Sequence, residues 1–198
     1  MKKLIFLGVS NVFFIQCQSQ KISKDMISNL DNKSEKLTKI MKDSREDIII
    51  NKEHIIYTSA NVGFGEVKYN EETYFSFVKN FYPSKSIENK GIAFNNGSPV
   101  GIWYYFDETG KLIKEENTDE GYNFTPENLI NYCEKHKINL PKGYQDSGYQ
   151  TKVLKQEIDG KKVWFISHQI SGDQIKEIYL YGKTGEKLSR KIVPFINN

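Results

Sequence analysis

The sequence predicts an α+β chain: an N-terminal signal peptide and a helical tether, then an antiparallel β-meander with one intervening helix. Three observations predict it. An apolar run of 12 residues follows Lys2 and Lys3, and an apolar stripe at multiples of about 3.5 residues crosses positions 21 to 44. From residue 45 onward, short β-branched and aromatic runs alternate with Asn-Gly, Asp-Gly and Thr-Gly turns. With 198 residues, 38% of them hydrophobic and 13% aromatic, the chain can bury a core in one ordinary domain or two very small ones.

Leu4 to Ile15 (LIFLGVSNVFFI) is too short for a stable spanning helix, and behind two lysines it reads as a signal peptide over residues 1–16. Gln16-Cys17-Gln18-Ser19 comes next. A lone cysteine directly behind an apolar signal segment resembles the lipobox of bacterial lipoproteins, although Gln16 stands where that family has a small residue. The resemblance implies that Cys17 is acylated, becomes the mature N-terminus and tethers the chain to a membrane of a Gram-negative envelope, the outer membrane being favoured. Cleavage after Ser19, which would release a periplasmic product, is the alternative.

Residues 17–44 form the expected tether. Ile22, Met26, Leu30, Leu37, Ile40 and Met41 share one narrow helical stripe, whereas Asn29, Asp31, Asn32 and Ser34 lower helix propensity in its middle. A helix packed on its own sheet and a partly disordered tether are the competing readings. Residues 45–120 then read as a β-meander, with turns at Asn51-Lys52-Glu53, Asn96-Gly97 and Asp107 to Gly110. In residues 121–198 Thr125 can cap a helix whose first position suits Pro126, and Leu129, Ile130 and Cys133 give it an apolar face. Four strands follow, turning at Asp159-Gly160, Ser171 to Asp173 and Gly182 to Gly185.

Phe81 to Asn117 resembles one and a half MORN-variant repeats, of the kind found in bacterial envelope proteins and in proteins described as antitoxins. Gly101, Trp103, Tyr105, Asp107 and Gly110 meet the pattern; Phe106 is an additional aromatic, and Pro83-Ser84 lacks the usual glycine. The region from Phe124 through Trp164 to Arg190 is similar in order and spacing to PepSY-like domains. The first resemblance implies hairpin stacks that bind or scaffold a partner and does not imply chemistry; the second implies an inhibitory or ligand-sensing module.

The residues themselves point away from catalysis. His54, His136 and His168 lie far apart in sequence, Cys133 and His136 share a helix with no further ligand nearby, and no nucleophile, phosphate-loop or zinc-protease motif occurs. No enzyme activity, metal or cofactor is therefore expected, and Cys133 reads as a small core hydrophobe. Twenty-eight basic against 25 acidic residues, with Lys2 and Lys3 belonging to the leader, give no steering toward nucleic acid. Trp103, Tyr104, Tyr105 and Phe106 are the candidate binding surface. Four consecutive strand aromatics cannot all face one core, and alternation sends Trp103 and Tyr105 to one side and Tyr104 and Phe106 to the other. The expected function is a non-catalytic envelope lipoprotein that binds another envelope protein or a cell-wall polymer; the alternative is an exported inhibitor or immunity-type protein.

Overall fold

Strand follows strand because each short β-forming run ends in a turn the backbone makes cheaply. The structure, a computed structural model, describes residues 30–195. Seven strands form one antiparallel meander: β1 (Arg45–Ile50), β2 (Glu53–Ala60), β3 (Gly63–Asn70), β4 (Phe75–Phe81), β5 (Ile87–Phe94), β6 (Pro99–Phe106) and β7 (Leu112–Asn117), paired in sequence order. Helix α1 (Pro126–Lys135) follows. Strands β8 (Lys152–Ile158), β9 (Lys161–Ser171), β10 (Gln174–Tyr181) and β11 (Lys187–Pro194) make a second antiparallel sheet. Asp159 and Gly160 both take positive φ in the two-residue β8–β9 turn, which is what an Asp-Gly hairpin turn requires.

The two sheets are joined at one turn. Gly97, between β5 and β6, forms a parallel bridge with Val153, and Ser98 N donates to the carbonyl of Val153 at 2.9 Å. A Cβ on residue 97 would lie 2.1 Å from that carbonyl oxygen, so glycine is what lets the two backbones meet. Helix α1 starts with a capping box, in which Asn128 N donates to Thr125 Oγ1 and Thr125 N to Asn128 Oδ1, an arrangement worth about 1 kcal/mol. Its buried face, Leu129, Ile130 and Cys133, enters one core with Phe75, Ile92 and Phe94 of the first sheet and Trp164, Ile166 and Leu180 of the second.

The α+β expectation is overturned: the described residues are almost all antiparallel β outside their loops, with 53% in strands and 6% in one short helix. The tether is where the expectation fails. Residues 30–44 contain no helix; they run extended across the far half of the first sheet, where Lys36 bridges Ser86, Leu37 N donates to Lys85 O, and Ile87 N donates to Glu35 O. The apolar stripe splits accordingly. Leu37 enters a second core cluster with Phe81, Ile87 and Phe106, while Ile40 is 78% exposed. Low helix propensity at Asp31, Asn32 and Ser34 leaves the backbone free to take hydrogen bonds at the β4–β5 turn instead. The leader, Cys17 and the tether before residue 30 lie outside the described residues.

Candidate functional site

Strand β6 divides its aromatic quartet between two faces, so the four residues do not form one platform. Trp103 is buried, donates from Nε1 to Ile92 O at 2.9 Å, and lies across Gly91, where a Cβ would come within 2.2 Å of the ring. Tyr104 and Phe106 face the opposite side and pack in the second core cluster. Tyr105, on the side of Trp103, is half-buried under Lys114, whose ammonium sits 5.0 Å from the ring centroid. Burial and a hydrogen bond to Glu116 push its hydroxyl up to about 12, so it stays a neutral donor.

The candidate nucleophile and metal residues are placed just as definitely. Cys133 is fully buried in the main core, and burial pushes its thiol up to about 12, which keeps it protonated. His54 stands 3.5 Å from Asp47 with its ring edge-on to Tyr144. Among the described residues no group of three or more His, Cys, Asp and Glu is placed to hold a metal ion, and no helix is long and apolar enough to cross a membrane.

The fold does bring two distant histidines together. His136 caps the C-terminal end of α1, with its ring 4.2 Å from that of Tyr132, and His168 projects from β9 on the same side of the second sheet as Trp164 and Ile166. His168 pairs across the strands with Lys176 of β10, and Ile178 pairs with Arg190 of β11. Lys187 completes the arrangement through a β-bulge. Leu180 lies opposite Lys187 whereas Tyr179 lies opposite Ser189, so the extra residue Leu188 turns both Lys187 and Arg190 to the same face. Together these residues line a cleft of about 110 Å³ over Ile138 and Ile178.

A groove of about 510 Å³ adjoins this cleft, with His168 lining both. Residues 137–151 frame it, and they bring Lys137 and Lys142 to its wall, the latter with its ammonium 4.9 Å from the ring centroid of Tyr74. No Asp or Glu lines either space. Glu134 of α1 reaches the rim, where it accepts a 3.4 Å hydrogen bond from Tyr74 Oη. Burial, followed by the nearby charge of Lys176, holds His168 below the ordinary histidine range, and its Nε2 is buried with no hydrogen-bond partner.

The amide groups in the groove are oriented by their own chain. Gln145 donates from Nε2 to Lys142 O at 2.8 Å, Gln150 to Gln145 O at 2.7 Å, and Gln169 to Gly172 O at 3.3 Å. Each carbonyl Oε1 thus keeps acceptor capacity for a ligand donor. None of these groove residues belongs to the aromatic quartet. The one sequence signal for them is parity in the β9–β10 hairpin: His168 and Lys176 occupy positions whose neighbours Ile166 and Ile178 face inward.

Comparison with protein-family models, with curated proteins and with solved structures finds no match to this chain.

Proposed function

We infer that the protein is a non-catalytic binding module of the cell envelope, tethered through lipid on Cys17, which holds an acidic saccharide chain in the groove framed by residues 137–151. The observation that carries this reading is the lining. Lysines without carboxylates attract acidic groups, the tyrosines Tyr74 and Tyr149 supply flat amphipathic surface, and glutamine Oε1 atoms accept from sugar hydroxyls. A groove of about 510 Å³ has the size of a small-ligand site, and its open, polar walls suit a hydrated polymer. Proteins with basic surfaces are poor occupants, so the inhibitor alternative would require an acidic target.

Polygalacturonate and neutral dextran are the discriminating probes. The chain is expected to bind the former, more weakly as salt rises, and not the latter; Lys137→Glu with Lys142→Glu should abolish that binding. Equal retention of polygalacturonate by the charge-reversed variant, or no binding at all, would sink the reading. The tether is tested separately by the intact mass of the mature N-terminus from detergent-extracted membranes. Acylated Cys17 is expected in the wild type and a soluble product in Cys17→Ser; an unacylated wild-type terminus near Gln20 would remove the anchor from the proposal.

A further inference from the structure

The small cleft at the end of the groove concentrates more positive charge than a single carboxylate needs. We propose that it is a binding pocket for a tetrahedral oxyanion, a phosphate or sulfate ester group, which rests on the saccharide-binding reading and specifies the substituent that ligand carries.

Donors reach the cleft from four elements: His136 from the end of α1, His168 from β9, Lys176 from β10, and Lys187 and Arg190 from β11. A carboxylate accepts in one plane, whereas the oxygens of a tetrahedral group point in several directions and can meet donors arriving from all four elements. A cleft of about 110 Å³ has room for one such group. The cations are also uncommitted. Lys90, Lys155 and Lys191 each hold a carboxylate, but Lys176, Lys187 and Arg190 have no ion-pair partner among the described residues. His168 lines the cleft with its Nε2 enclosed and without a partner, and a turn of the ring toward the cleft would let a protonated imidazole donate to an anion there.

Cations surround His168 and are opposed by Glu134, at the rim of the groove, until a ligand arrives. Burial and the charge of Lys176 from β10 disfavour its proton, while His136 from α1, Lys187 and Arg190 from β11, and Lys137 and Lys142 from the groove lie around the same spaces. A bound dianion reverses the balance, so binding takes up a proton at His168 and tightens as pH falls. Sulfate is the suitable probe, since it remains a dianion across the titration of histidine and any pH dependence belongs to the protein.

The experiment titrates the full chain in detergent with sodium sulfate, against sodium chloride at matched ionic strength, and follows the imidazole NMR signals of His168 and His136. Saturable shifts of both are expected, several-fold tighter at about pH 5.5 than at about pH 8. Arg190→Gln should weaken sulfate binding roughly tenfold, the loss of one charge-assisted hydrogen bond, with Lys176→Met acting in the same direction. A response no larger than that of chloride, or one unchanged in Arg190→Gln with a native spectrum, overturns the proposal. Two further arms identify the source. A sugar phosphate that displaces sulfate supports a glycan-borne ester; phosphatidylglycerol-dependent vesicle binding by Cys17→Ser that is lost with Arg190→Gln supports a lipid headgroup; failure of both overturns the ester assignment. Polygalacturonate binding without sulfate binding defeats this proposal and leaves the groove reading intact, and sulfate binding without polygalacturonate binding does the reverse.

Discussion

Replacing Asp31 and Glu35 together by Ala is expected to destabilise the folded chain by about 3–5 kcal/mol, the cost of stripping the partners from a buried cation. Lys90 lies on the inner side of β5 with its side chain 2% exposed, and its ammonium reaches Asp31 and Glu35 at 3.1 Å each and the carbonyl of Lys33 at 2.9 Å. All three partners belong to the extended N-terminal segment, so one lysine latches that segment to the sheet. Lys79 reinforces it with a 2.6 Å contact to Glu35. Lys90→Met added to the double variant should recover much of the loss, because an apolar side chain of similar length fills the site without an unpaired charge. Urea denaturation of the three chains checks this, and a double variant within 1 kcal/mol of wild type, roughly the worth of a surface pair, would remove the latch from the account.

The same latch has a definite pH sign. The hydrogen bond from Lys90 holds Asp31 below the ordinary carboxylate range; for Glu35 burial pushes upward, and Lys79 and Lys90 more than offset it. Both folded pKa values are thus depressed, and the stability they contribute is present above the unfolded carboxylate range and lost as pH falls through the folded values, below about pH 4. Release of residues 30–44 would lengthen the proposed lipid tether by up to about 50 Å.

Much of the strand order was legible because it depends on local chemistry. Turns at Asn51, Asn96-Gly97, Asp107 to Gly110 and Asp159-Gly160 fall where glycine and asparagine relieve the backbone, and Thr125-Pro126 opens the helix as its capping chemistry requires. The N-terminal segment was not legible in the same way. Its apolar spacing fits a helix, and only the backbone at Ser86 and Ile87, where β5 begins some fifty residues away, shows that extended pairing wins. The cleft lay further out of reach. Lys187 and Arg190 are three residues apart, and regular alternation would send them to opposite faces; the bulge at Leu188 that reunites them leaves no mark in composition. His136 and His168 are 32 positions apart and line one cleft because α1 packs into the core shared by the two sheets. The aromatic quartet was conspicuous for a different reason, since strands that meet covered faces on both sides are rich in large side chains whether or not anything binds there.

Trp164→Ala is expected to cost about 3–5 kcal/mol, or a fall in Tm of about 10 °C. Trp164 is fully buried in the core that joins the sheets, edge-on to Phe94 at 6.0 Å and 4.9 Å from the ring of Tyr122, and its Nε1 donates to Phe124 O at 2.8 Å. Removing it opens a cavity and strands that carbonyl. It also uncovers Lys155, whose ammonium lies 5.4 Å from the Trp164 ring centroid while bonding Asp119 and the carbonyl of Pro99. Trp164→Phe keeps an aromatic ring but leaves a smaller cavity, and should lose about 1 kcal/mol for the hydrogen bond plus a cavity contribution well below that of Ala. The chain has two tryptophans, so either variant leaves Trp103 in the first sheet as the remaining emitter. That placement turns the measurement into a test of the joint at Gly97 and Val153. A lowered denaturation midpoint seen by Trp103 means that damage in β9 is felt across both sheets and that they unfold as one cooperative unit. A Trp103 signal that keeps the wild-type midpoint while circular dichroism shifts would mean that the first sheet and its N-terminal latch stand alone, and that the groove and cleft are carried by the second sheet and α1.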